Sequence, residues 1–320
     1  NATKGMHGRF GGGRVFNTIL DETTILGLAQ GMAQAGCLPF PEIQYLAYLH
    51  NAIDQIRGEA ASLQFFSTGQ SLPDMPQQFT SYANPMVVRM AGLAYQKGFG
   101  GHFHNDNSIG ALLDIPGIVL GIPTRADDAV TMLRTMTAAA HDHGKVCIFL
   151  EPIALYMQKE LHEGNDDEWQ FAYPPPNEAM TFGEGRCYDA TADDQLTIVT
   201  FGNGVWMSLR VAKRLRAQGI KARVFDLRWL LPLPIEQVKE HVRATGRCLV
   251  VDECRTNGGG PSPMIMADLC QDPELQHCVL RRVAAADSYV PLAAAANLVL
   301  VQEPDIERAA LAICEQEVKR

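Results

Sequence analysis

The sequence predicts an α/β protein: a domain built on a parallel sheet, followed by a smaller α/β domain. Short runs rich in Val and Ile, such as PMVVRM (85–90), VCIFLEP (146–152) and CLVVDE (248–253), read as strands buried on both faces. They alternate with longer segments whose apolar residues recur at helical spacing, the pattern of strand–helix–strand units. One acidic, proline-containing stretch, 157–195, breaks the rhythm and reads as an interdomain connection with a loop insertion. The boundary is therefore expected near residue 190, giving domains 1–190 and 191–320.

In chain order, the first helix is expected over 22–36, since Ile25, Leu26, Leu28, Ala29, Met32 and Ala33 form one apolar face. Asp21 and Glu22 stand where it begins. Acids in a first turn offset the helix dipole, worth about 0.3–1 kcal/mol, but one of the two can instead point into a site. A second helix is expected over 43–66, with an apolar stripe from Ile43 to Leu63 and a polar stripe of Gln44, Tyr48, Asn51 and Gln55. Further strands are expected at 118–124, 196–202, 222–228 and 280–285, and helices at 126–143, 204–218, 234–244, 259–271 and 304–318. The stretch 67–85 reads as an irregular loop.

Charge and composition narrow the function classes. With 27 Lys and Arg against 36 Asp and Glu, the net charge of −9 disfavours an electrostatic nucleic-acid binder. No apolar run reaches the roughly 18–20 residues of a membrane-spanning helix, so no membrane partner is expected. The start, NATKGMHGRFGGGRV, does not read as a signal peptide and lacks an initiating Met, as in a processed chain or the downstream half of a longer polypeptide. The eight cysteines are scattered without a C-x-x-C pair, which fits a reducing compartment.

The loop GFGGHFHNDNS (98–108) carries His102 and His104. A His-x-His pair on a strand can hold a metal, but the Gly and Asn here favour a loop and no third ligand is evident. A proton-handling or substrate-polarising role suits His104; a plain loop hydrogen-bonder is the competing reading. CLVVDECRTNGGG (248–260) has a Gly-rich turn after a strand but matches neither G-x-G-x-x-G nor G-x-x-x-x-G-K-[ST].

Taken in order, RVFNTILDETTILGLAQGMA, EIQYLAYLHNAIDQIRGEAA, GHFHNDNS, PGIVLGIPTRADDA, FLEPIALY, VTFGNG, VFDLRWLLPLP and VVDECRTNGG resemble the beta subunit of thiamine-diphosphate-dependent 2-oxo acid dehydrogenases, of pyruvate and branched-chain type, in the transketolase-like superfamily. The resemblance implies a pyrimidine-binding parallel-sheet domain and a transketolase C-terminal-like domain. It implies that Glu22, in N-T-I-L-D-E, contacts the aminopyrimidine of thiamine diphosphate and sets its tautomer, while Asp21 keeps the helix-start role. It implies that Leu20, Gln44 and Tyr48 face the cofactor, with Asn51 at a variable position, and that His104 lies near the reacting carbonyl. The family loop reads HSQS; here it reads HNDN. Ala140 and Asp142 match positions around a potassium ion, across a gap.

No G-D-G motif for magnesium and diphosphate occurs in the chain. The resemblance therefore implies an alpha-type subunit or upstream half that supplies those ligands, and a second copy of this chain in a dimer or heterotetramer. It also implies a lipoyl-bearing dihydrolipoyl acyltransferase as acceptor, in the cytoplasm or, in a eukaryote, the mitochondrial matrix. The expected activity is oxidative decarboxylation of a 2-oxo acid with acyl transfer to the lipoyl group. The alternatives are a transketolase-like or other thiamine-diphosphate transferase, and a non-catalytic assembly module that keeps the fold.

Overall fold

The computed structural model describes residues 3–66, 83–96 and 101–316. Among these the strands are β1 (Glu42–Ile43), β2 (Met86–Gly92), β3 (Ile118–Gly121), β4 (Val146–Pro152), β5 (Arg186–Tyr188), β6 (Leu196–Thr200), β7 (Ala222–Asp226), β8 (Trp229–Leu231), β9 (Arg247–Arg255) and β10 (Val279–Ala285). The α-helices are α1 (Met6–Phe10), α2 (Glu22–Gln34), α3 (Leu46–Leu49), α4 (Leu63–Phe66), α5 (Gly110–Leu113), α6 (Ala126–His143), α7 (Asn203–Ala217), α8 (Ile235–Thr245), α9 (Ser262–Gln271) and α10 (Glu303–Cys314). Most of the 67–85 stretch, the first residues of the 98–108 loop and the end of the helix expected to reach residue 318 fall outside the described residues.

Two sheets form. The first has the order β1-β2-β4-β3-β8, parallel except for β8, which runs antiparallel to β3. The second has the order β10-β9-β6-β7-β5, parallel except for β5. Strands covered on both sides need no polar face, which is why β3, β6 and β7 are buried at every position.

Alternation along the strands sorts the core. In the first sheet Met86, Val88, Met90, Ile148 and Leu150 face α2 and the 46–61 segment, sharing a cluster with Leu26, Leu46, Leu49 and Ile56. Val87, Val119, Cys147 and Phe149 point the other way, onto Met132 and Met136 of α6. The first cluster continues through Phe225, Val238, Val250 and Ile265 into the second half, so one apolar cluster is shared by the two sheets, while a second, with Ile198, Val224, Val251 and Ile306, lies within the second half.

The helix expected over 43–66 is not one helix. Ile43 belongs to β1, paired with Met90 of β2, and helical backbone begins only at Leu46. The segment then passes through a 3₁₀ turn at His50–Ala52 and a π turn at Gln55–Ala60 before α4. The apolar stripe is nevertheless buried at Leu46, Leu49, Ile56 and Ala60, so packing sets the burial while the hydrogen-bond register changes along the segment. Gly92 makes room for this: a Cβ there would stand 2.8 Å from Leu46 Cβ and 2.7 Å from Leu150 Cδ1.

The halves are joined by charge as well as by β8. Asp128, at the start of α6, is buried and accepts hydrogen bonds from Arg228 Nη2 at 2.7 Å and Arg186 Nη2 at 2.8 Å. Arg228 precedes β8 and is itself buried. Removing one member of such a group strands a buried charge. Asp128→Ala should therefore lower unfolding free energy by about 3–5 kcal/mol in denaturant titrations, far beyond an exposed ion pair.

Candidate functional site

Asp21 and Glu22 divide the work at the start of α2. Asp21 has extended backbone, φ −153°, and is the N-cap: its Oδ2 accepts from the Thr24 amide at 2.8 Å and from the Thr24 hydroxyl. Those bonds, the hydroxyl foremost, hold the Asp21 carboxyl below its ordinary range. With Asp21 serving the helix, Glu22 is turned elsewhere. Its Oε2 accepts from Asn51 Nδ2 at 3.2 Å, and Thr23 donates to the Asn51 carbonyl at 3.1 Å. The first turn of α2 is thus stitched to the 3₁₀ turn that follows α3.

Tyr48 lies in α3, one turn before Asn51, and its hydroxyl is 3.1 Å from His104 Nε2. The His104 ring meets Tyr45 edge-on, with centroids 4.6 Å apart, and Tyr48 at 6.0 Å. The structure therefore brings together Glu22, Asn51, Tyr48 and His104 along one segment, 45–51. Leu20, before the two acids in sequence, is 79% exposed. Gln44 is exposed too, but it lies between β1 and α3, so the expected helical stripe joining Gln44 to Tyr48 does not exist. Ala140 and Asp142 are not part of this group. Both belong to α6, whose core residues pack the opposite face of the first sheet. The Ala140 carbonyl accepts the Gly144 amide at 3.0 Å, and Asp142 pairs with His141 at 2.7 Å. Among the described residues no three His, Cys, Asp or Glu side chains gather as a metal-holding group, and no helix is long and apolar enough to cross a membrane.

Sequence reasoning missed the residues that hold His104 in place. Asp106 accepts from the Ser108 amide at 3.0 Å, and its Oδ2 lies 3.1 Å from His50 Nε2. Arg255, at the end of β9, donates to Ser108 Oγ at 3.1 Å. Burial works against the Asp106 carboxylate, yet the hydrogen bonds from His50 and Ser108 prevail and keep its pKa below the ordinary value. The same contact, with Asp106 as its leading cause, raises His50 above its ordinary 6.5, against burial and the charge of Arg255. The only signal was the HNDN run itself, whose polar residues looked like departures from a pattern.

His50 has its pKa raised by folding, so its stabilising contribution is full below about pH 6.5 and fades as pH rises through the raised value. Asp106→Asn should bring the His50 midpoint back toward 6.5, followed by its ring proton resonances in NMR.

Known proteins are similar to this chain over nearly its whole length. The family described as transketolase, C-terminal domain, matches residues 186–305. The pyruvate dehydrogenase E1 component subunit beta of Bacillus subtilis (strain 168) is 30% identical over 320 residues, covering 98% of this chain and 88% of that protein. The proteins of the same description from Staphylococcus aureus (strain Mu50 / ATCC 700699) and Staphylococcus epidermidis (strain ATCC 35984) are each 29% identical, over 95% and 98% of this chain and 85% and 87% of theirs. A solved structure described as a split gene transketolase, inactive beta4 tetramer, superposes with a TM-score of 0.73 at 20% identity, over all of this chain and 89% of that one, a likeness of fold. On the strength of the Bacillus relative, this chain belongs to the family of pyruvate dehydrogenase E1 component beta subunits.

Proposed function

We propose that this chain is the pyrimidine-facing half of a thiamine-diphosphate-dependent 2-oxo acid dehydrogenase, with Glu22 as its central residue. One observation carries the reading: Asp21 caps α2, leaving Glu22 bonded to Asn51, one turn along from the Tyr48 that meets His104. An acid, an aromatic ring and an imidazole on one partly open segment fit an aminopyrimidine, which offers a ring nitrogen to hydrogen-bond and a flat face to cover. When bound, thiamine diphosphate supplies the carbon nucleophile that attacks the oxo acid.

This chain's residues orient and handle protons. Glu22 would share a proton with a ring nitrogen of the cofactor, and Asn51 holds its carboxylate in place by donating to Oε2. Tyr48, with Leu20 and Gln44, would cover the ring. His104 stands ready to exchange a proton at the substrate oxygen, with the Tyr48 hydroxyl 3.1 Å away to orient its imidazole. The chain is read as a cofactor-facing domain, 1–190, and a transketolase-like C-terminal domain, 191–320, with β5 (Arg186–Tyr188) lent to the second sheet and β8 (Trp229–Leu231) to the first. Magnesium and diphosphate ligands are assigned to an alpha-type subunit or upstream half, since G-D-G does not occur in this sequence. Ala140 and Asp142 are assigned at most a structural potassium. Pyruvate, named in the relatives' description, is the first substrate to assay, with a lipoyl-bearing acyltransferase as acyl acceptor.

Two experiments test this. In the assembled enzyme, Glu22→Gln keeps the shape but cannot share a proton, so decarboxylation with an artificial electron acceptor should fall about 10²–10⁴-fold. Asp21→Asn retains a competent N-cap and should leave the rate nearly unchanged. Equal, mild effects would return Glu22 to dipole compensation. Separately, calorimetry should find thiamine diphosphate binding to this chain alone weak and insensitive to magnesium; tight magnesium-dependent binding would contradict the division of ligands.

A further inference from the structure

The three residues after His104 each reach out of their own loop. Asn105 Oδ1 accepts the Gln96 amide at 3.2 Å, Asp106 faces His50, and Asn107 bridges the two halves of the molecule. Asn107 is 4% exposed. Its Oδ1 accepts the Ala94 amide at 2.6 Å, and its Nδ2 donates to the Glu253 carbonyl in β9. Glu253, fully buried, accepts from the Asn203 amide and from Asn203 Nδ2, each at 2.8 Å, so it caps α7 from another element. Asn203 Nδ2 also lies 3.5 Å from the Ala94 carbonyl. The ring Ala94–Asn107–Glu253–Asn203 closes on itself, and its three side chains are all buried.

The backbone inside this ring is unusual. Leu93 and Tyr95, on either side of Ala94, have φ of 66° and 77°, a left-handed conformation that non-glycine residues rarely adopt. Such backbone persists only where its surroundings hold it. Here Asn107 and Asn203 grip Ala94 from both sides, while the Tyr95 hydroxyl donates to the Val301 carbonyl at 2.9 Å. The glycine preceding Asn203 leaves no spare room: a Cβ on Gly202 would stand 2.5 Å from Glu253 Oε1 and 2.9 Å from Leu93 Cδ1.

We infer that Asn107 is a positioning residue: through this ring the second sheet sets where His104 stands against Tyr48. This rests on the proposed role of His104, and it gives the HNDN run a purpose, because its polar residues tie the loop to the segment after β2, to His50 and to β9. Asn107 touches neither Tyr48 nor the reacting atoms in this account; it acts through the loop, three residues from His104.

The test uses the full chain and the ¹⁵N shift of His104 Nε2. Tyr48→Phe removes the phenol hydroxyl and should move that shift in the otherwise native chain. In Asn107→Ala and Asn203→Ala backgrounds the same substitution should have an effect smaller by about threefold or more, since the contact is already displaced. An undiminished effect in both backgrounds would overturn the inference and leave Asn107 a purely structural bridge. If Asn107→Ala does not fold by circular dichroism, Asn203→Ala and Asn107→Asp decide the matter. Asn107→Asp keeps the acceptor for Ala94 but loses the donor to Glu253. Absence of 2-oxo acid decarboxylation in the unmutated assembled enzyme would refute the proposed function while leaving this NMR result standing, so the two failures are distinguishable.

Discussion

The buried ion group at the joint is the interaction on which the rest of the molecule depends. Asp128 at the start of α6 holds Arg228 beside β8, and β8 then completes the first sheet by pairing with β3. A charge group buried to this extent is no source of stability compared with a well-packed apolar one. Its value lies in register: two carboxylate–guanidinium contacts have one geometry, whereas apolar faces can slide. Once β8 is docked, the carboxyl ends of β2 and β9 are brought together, and the loop carrying His104 is held between them through Asn107 and Arg255.

The candidate site is consequently a product of two sheets although its proposed cofactor-facing side chains come from one. Glu22, Tyr48 and Asn51 stand on elements packed over the first sheet, and their mutual positions follow from the burial of Leu26, Leu46 and Leu49. His104 is different. Among the described residues polar side chains hold its loop, and two of their partners, Glu253 and Arg255, lie beyond residue 200. This division explains why the loop is rich in Asn and Asp, which bond to backbone readily and tolerate irregular conformations.

Much of this was legible in the sequence. The strands 146–152 and the helix 126–143 have the expected bounds, since strongly patterned segments buried on one or both faces declare themselves. The acids at 21 and 22 raised the right question, and the capping geometry separated them. The 43–66 segment misled because its apolar residues recur at helical spacing through 3₁₀ and π turns, so burial could be read but hydrogen-bond register could not. The strands β1, β5 and β8 are of two or three residues, too short to show a period. Asp106, Asn107 and Arg255 escaped notice because their meaning lies in partners up to 147 positions away.

The most direct measurement is a crystal structure of this chain assembled with its diphosphate-binding partner and thiamine diphosphate. The account predicts the Glu22 carboxylate within about 2.6–3.2 Å of a pyrimidine ring nitrogen, the Tyr48 ring against the pyrimidine face, and His104 turned toward the same cavity. A cofactor seated elsewhere, with Glu22 bonded only to Asn51, would contradict it.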